Sequence, residues 1–169
     1  MNNLGTLNVT TPTDREIVMT RVFDAPRRLV YEAMSKPELI KRWLYGPPGW
    51  AMTACEDDLR VGGTFRWAWR GPNGEEMSMR GVYREVAPPG RIVRTESFEF
   101  GCAPQAGEQL ATLVLTEQSG KTTLTLTLLY PSKEARDGAI ASGMEHGVAA
   151  SYDRLAEMLA TSASEGPPK

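Results

Sequence analysis

The feature that most constrains this chain is a series of alternating segments between Thr64 and Tyr130, each closed by a turn. Thr64 to Arg70 (T-F-R-W-A-W-R) sets Phe65, Trp67 and Trp69 on one face and Arg66 and Arg70 on the other. That is the period of a strand with one side buried. Pro72-Asn73-Gly74 follows as a turn, with Gly74 suited to positive φ. A hairpin loop of those residues sets Trp69 opposite Met77, Trp67 opposite Met79 and Phe65 opposite Gly81. Apolar then meets apolar, whereas a slip by one residue would turn every side chain to the other face. Ser78 to Val86, Ile92 to Phe100, Leu110 to Thr116 and Thr122 to Tyr130 continue the pattern. The turns Pro88-Pro89-Gly90 and Ser119-Gly120 make successive strands antiparallel neighbours.

The flanks supply the rest of the domain. Glu16 to Asp24 is rich in β-branched residues and reads as a strand. Pro26 then suits the first turn of a helix over Arg27 to Ser35, and Pro37 interrupts it. Glu38 to Leu44 makes a second short helix, ended by Gly46-Pro47-Pro48-Gly49, and Trp50 to Leu59 reads as a further strand. Ser132 is an N-cap for a long helical pattern reaching about Ala160. Ile140, Met144, Gly147, Val148, Ser151, Leu155, Met158 and Leu159 form its apolar stripe, with Tyr152 on the shoulder and His146 on the opposite side. Gly138, Gly143 and Gly147 interrupt it, which predicts a kink or a break near Gly143. A sheet with one apolar face needs a cover, and only the last helix is long enough. The chain therefore reads as a single α+β domain over 15–161, with a flexible N-terminal arm over 1–14 and a disordered tail over 162–169. A curved sheet holding one helix leaves a gap that two short helices only partly close.

Composition removes several function classes. Lys+Arg number 19 against Asp+Glu 21, a balance that gives no phosphate-neutralising surface, so no nucleic-acid partner is expected. No apolar run reaches the roughly 20 residues of a membrane helix, and the N-terminus lacks the basic and apolar regions of a signal peptide. No membrane partner and a cytoplasmic location are the expectations. Cys55 and Cys102 are too few for a disulfide framework or a cysteine zinc site. The single histidine, His146, has no nucleophile at a recognisable spacing. Glu56, Asp57 and Asp58 look like a metal cluster, but adjacent strand residues point to opposite faces, so they read as solvated charge. Gly62-Gly63 reads as a bulge or bend, not a phosphate loop. No metal and no cofactor are expected.

Four segments carry a resemblance. F-D-A-P-R-R-L-V-Y-E-A-M-S-K-P-E-L-I-K-R-W (Phe23 to Trp43) resembles the opening of the SRPBCC superfamily, also called START-like or helix-grip. D-L-R-V-G-G-T-F-R-W (Asp58 to Trp67), R-G-V-Y-R-E-V-A-P-P (Arg80 to Pro89) and G-M-E-H-G-V-A-A-S-Y-D-R-L (Gly143 to Leu155) are similar to bacterial proteins related to the activator of the 90-kDa heat-shock-protein ATPase. The resemblance covers roughly Arg15 to Thr161. It implies a curved antiparallel sheet of about seven strands wrapped around the C-terminal helix, an interior ligand pocket, and pairing into homodimers.

Three functions follow as expectations. The first is a binding module for a small hydrophobic or aromatic ligand, without a cofactor. Phe65, Trp67, Trp69, Met77, Met79 and Tyr83 would form one pocket wall, because aromatic and methionine side chains give large, adaptable contact. Met144, Gly147, Val148 and Tyr152 would face them from the helix, and Trp43, Tyr45 and Trp50 would form the mouth. Plain core packing accounts for the same wall, and an anchoring role for the short helices accounts for the mouth. The second function is a co-chaperone-like interaction protein; the eukaryotic activators carry a separate N-terminal domain for which this chain has no room. The third is a cyclase-like or hydrolase-like enzyme using an interior acid, with Glu96 as the candidate. Arg94 and Glu96 share a face with Ile92 and Phe98, and the sequence leaves open whether that face looks inward. Of the three, binding without catalysis is the preferred expectation.

Overall fold

The structure is a computed structural model, and it describes residues 6–45, 49–100 and 103–164. Residues 1–5, 46–48, 101–102 and 165–169 lie outside the described residues. They include part of the expected arm, part of the Gly46-Pro47-Pro48-Gly49 loop, Cys102 and most of the expected tail.

The chain runs through β1 (Asn8–Thr10), β2 (Glu16–Phe23), α1 (Arg27–Ser35), α2 (Pro37–Ile40), β3 (Ala51–Asp57), β4 (Thr64–Arg70), β5 (Glu76–Ala87) and β6 (Arg91–Phe100). It continues through β7 (Ala103–Gln118), β8 (Lys121–Leu129), α3 (Lys133–Ala141) and α4 (Met144–Ser164). The described strands form one curved sheet in the order β1-β2-β8-β7-β6-β5-β4-β3, every neighbour antiparallel. About seven strands were expected, and the eighth is β1, where Asn8–Thr10 pairs with Val18–Thr20. The β4–β5 ladder has the register that the turn demands: Trp69 opposite Met77, Trp67 opposite Met79, Phe65 opposite Gly81.

Two proline effects shape the short helices. Pro26 stands at the start of α1, which buries Val30, Tyr31 and Ala33. Lys36 is extended (φ −95°, ψ 120°) because Pro37 excludes the helical region from the residue before it, so α1 stops and α2 begins there. Ser132 caps α3 as expected, its hydroxyl accepting from the Ala135 N–H at 3.1 Å. The long helical pattern is broken in two at Gly143, whose φ of +76° is open to glycine and costly for other residues. With the helix broken, Ile140 loses the common phase of the stripe and is 39% exposed, where burial was expected.

The core lies between the concave face of the sheet and the helices. Phe23, Phe65, Ile92, Leu115, Leu124 and Leu155 are among its fully enclosed side chains. Helix α4 grips unevenly. Its C-terminal half buries Tyr152, Leu155, Met158 and Leu159, while Met144 and Val148, on the same stripe, are only half-buried. Their full burial was expected; they rest at the margin of the smaller core cluster of Ile17, Met19, Ala111 and Leu128. Among the described residues no helix is long and apolar enough to cross a membrane.

Candidate functional site

Strand register assigns the concave face. Residues paired across antiparallel strands share a side. One row runs Cys55, Trp67, Met79, Phe98 from β3 to β6, and a second runs Tyr83, Arg94, Ala111, Leu128, Ile17 from β5 to β2. Glu96 pairs with Gln109 between them. The face therefore carries charge inside. Arg94 and Glu96 look inward, and their side chains are 15% and 5% exposed.

These charges are organised around one another. The Arg94 Nε donates to Glu96 Oε2 at 2.9 Å, and Gln109 Nε2 donates to Glu96 Oε1 at 2.9 Å. The guanidinium carbon stands 5.0 Å from the Phe65 ring centroid and 4.8 Å from that of Trp67, so the cation rests on aromatic faces. Beside it, Asp57 accepts from the Tyr83 hydroxyl at 2.6 Å and from Trp67 Nε1 at 3.2 Å. Burial raises the Asp57 carboxyl above its usual value, against the opposing pull of Tyr83, Arg94 and Trp67. Burial also lifts the phenols of Tyr83, Tyr130 and Tyr152 well above theirs, and the Glu96 carboxylate adds to the rise at Tyr130 and Tyr152. All three phenols are therefore neutral donors at physiological pH.

The expected pocket residues fall into three groups. Phe65, Trp67, Trp69 and Tyr83 are buried on the concave face, and Tyr152 is buried beneath α4 with its ring 5.9 Å from Phe23 and 6.0 Å from Trp43. Met77, Met79, Met144 and Val148 are half-buried, as are Phe98 and Gln109, which the sequence did not single out for the pocket; Gly147, expected to line it, is instead exposed at the edge of the helix stripe, with open space where a Cβ would lie. Of the expected mouth, Trp43 is buried and anchors the short helices, its Nε1 donating to the Ala33 carbonyl at 2.9 Å. Trp50 is half-buried against the core, and Tyr45 is exposed, with the Arg154 guanidinium carbon 4.1 Å from its ring centroid. His146 is exposed, as the helical phase required.

Several site residues were not legible as such. Asp57, read as solvated charge, is turned inward because it pairs with Phe65 across β3–β4. Its alternation with Cys55 was the available signal. Arg21 breaks the apolar row Ile17, Met19, Phe23; it is 3% exposed and pairs with Asp153 at 2.7 Å. Cys55 is half-buried beside Trp67, and burial together with Asp57 pushes its thiol up to about 11, which makes it a poor nucleophile. Among the described residues no group of three or more His, Cys, Asp or Glu is placed to hold a metal. On the outer face, a groove of about 220 Å³ is lined by Thr53, Arg66, Arg70, Glu76, Ser78 and Glu99 together with Ala68, Trp69 and Met77. Its charges are largely spent, since Arg70 pairs with Glu76 at 3.1 Å.

A curved antiparallel sheet closed by a C-terminal helix, with aromatic and charged groups on its inner face, defines a helix-grip protein. The family model described as Activator of Hsp90 ATPase homolog 1-like protein matches residues 24–160, and the chain belongs to that family. A solved structure from Rhodobacter sphaeroides is 30% identical, with a TM-score of 0.85 over 92% of this chain and 98% of that one. One from Chromobacterium violaceum is 27% identical, with a TM-score of 0.70 over 85% and 96%. One from Staphylococcus epidermidis is 26% identical, with a TM-score of 0.76 over 92% and 94%. Among curated proteins none matches the chain.

Proposed function

We propose that the protein binds a small apolar or aromatic molecule between the concave face and the N-terminal half of α4. The observation that carries this reading is the uneven grip of that helix. Met144 and Val148 lie on the stripe that buries Leu155 and Leu159, yet they remain half-buried. Met144 and Val148 pack toward Ile17, Met19, Ala111 and Leu128, and the same concave face also presents Met77, Met79 and Phe98, likewise half-buried. Incompletely covered apolar surface of this kind gains by taking up a ligand. No cofactor is required. Glu96 is held by Arg94 and Gln109, which suits positioning better than proton transfer, so binding without catalysis is the preferred role.

The test uses 2-naphthylmethanol as the probe. Binding should quench tryptophan fluorescence and, at about one hundred times its Kd, stabilise the fold by about 2.7 kcal/mol. Phe98→Ala, which removes half-buried apolar surface from the concave face, should weaken the probe. Absence of both quenching and stabilisation at millimolar probe would refute the reading.

The family description carries a second reading, a co-chaperone acting on a heat-shock-protein ATPase. Stimulation of such an ATPase by the purified protein, with no response to the probe, would favour it. A cytoplasmic homodimer is part of the proposal. Sedimentation equilibrium giving a monomer at on the order of tens of micromolar would remove the dimer.

A further inference from the structure

We infer that the interior site selects uncharged aromatic molecules bearing a hydroxyl or carbonyl group and discriminates against carboxylates, with Glu96 as the residue that sets this preference. The inference rests on the binding reading above and adds the chemical class of the ligand.

The argument is one of charge and hydrogen-bonding capacity. An interior arginine on aromatic rings is by itself a carboxylate receptor, because its planar fork matches a carboxylate. Here Arg94 is already committed. Glu96 takes its Nε at 2.9 Å, and the Glu96 side chain is 5% exposed, so solvent does little to screen the pair. Asp57 also lies close enough to interact with the cation and is bonded to Tyr83, the residue directly across from Arg94 in the β5–β6 register. With both carboxylates ionised, the formal sum over Arg94, Glu96 and Asp57 is −1; with Asp57 protonated it is zero. In neither state does the cluster offer an incoming anion a net positive field.

A neutral group meets different terms. The Nη groups of Arg94 retain N–H donors, and each Glu96 oxygen accepts one described bond, leaving a second lone pair. A hydroxyl can accept from Arg94 and donate to Glu96; a carbonyl can accept from Arg94. The apolar body of the same molecule would lie toward Met77, Met79 and Phe98, which are half-buried on the same face. Burying one uncompensated charge beside Glu96 costs a carboxylate at least about tenfold in affinity relative to an isosteric alcohol.

Three probes of one shape test this by calorimetry on the full chain at neutral pH: naphthalene, 2-naphthylmethanol and 2-naphthoate. The wild type should bind the alcohol more tightly than naphthalene, and at least about tenfold more tightly than the carboxylate. Glu96→Gln keeps the side-chain shape and removes the charge that occupies Arg94. It should gain at least about tenfold for 2-naphthoate, so that the alcohol-to-carboxylate affinity ratio falls at least about tenfold. A wild type that prefers 2-naphthoate overturns the inference and leaves the binding reading standing. So does a folded Glu96→Gln protein with an unchanged alcohol-to-carboxylate ratio. If Glu96→Gln does not fold, the wild-type order of the three probes decides alone. Absence of binding by all three overturns the binding reading and this inference with it.

Discussion

The hydrogen bond from Tyr83 to Asp57 is the most exposed joint in the argument, and replacing Tyr83 with Phe isolates it. The donor and acceptor are 2.6 Å apart, the acceptor is a carboxylate raised by burial, and the tyrosine is 2% exposed. A bond of this kind to a charged group contributes about 1.5–3 kcal/mol. For a domain of this size that is a fall in Tm of about 3–12 °C. The sign of its pH dependence follows from linkage. Asp57 titrates in the folded protein above its ordinary 3.8, so its own contribution to stability is complete below that value and is lost as pH rises through the folded pKa. Tyr83 opposes this by stabilising the ionised carboxylate. The Tyr83→Phe penalty should therefore be largest at neutral pH and shrink as pH falls through the folded Asp57 pKa. Urea denaturation of wild type, Tyr83→Phe, Asp57→Asn and the double variant gives the coupling energy directly. A loss below about 0.5 kcal/mol at pH 7, or one that is the same on the acid side of the Asp57 titration, would refute the assignment.

Three further outcomes are expected. Arg94→Met leaves Glu96 buried without its cation and should cost about 3–5 kcal/mol by denaturant unfolding, most of it recovered in Arg94→Met/Glu96→Leu. Gly81→Ala would drive a Cβ into the Thr95 carbonyl oxygen, so this variant should lose about 3 kcal/mol or more, or fail to express as folded protein, by thermal denaturation. Tyr31→Phe should be neutral or stabilising by up to about 1 kcal/mol, because its buried hydroxyl has no partner among the described residues.

Much of this fold was legible where the local signals agreed. The β4–β5 register follows from Phe65, Trp67 and Trp69 alternating up to a Pro-Asn-Gly turn, and the structure has that register. The facing of Glu96 was not legible for a physical reason. Register shifts interrupt β5–β6 between Tyr83 and Glu85 and β6–β7 between Ser97 and Glu99, and each breaks the parity that alternation relies on. Asp57 was missed because three adjacent acids read as solvated charge, although the middle one pairs with Phe65 and so faces inward. Buried tryptophan N–H groups need partners, and here the chain itself supplies them. Trp43 finds the Ala33 carbonyl, Trp67 finds Asp57 and Trp69 finds the Leu44 carbonyl at 2.6 Å. Those long-range pairings depend on the path of the chain after α2, which no local pattern encodes. Strand β1 was invisible because Asn8, Val9 and Thr10 carry no buried face of their own.

The break at Gly143 and the one-sided seating of α4 make this helix two populations of amides rather than one. Its C-terminal half closes over Tyr152, Leu155 and Leu159, so those N–H groups open to solvent only when the core opens. Its first two turns, from Met144 to about Ala150, are fastened by little buried surface and are severed from α3 by a glycine at positive φ, so they can fray while the remainder stays folded. Hydrogen exchange along α4 should fall in rate from Met144 toward Leu159. On the binding proposal, a molecule would enter by melting of this helix end, with the sheet left intact.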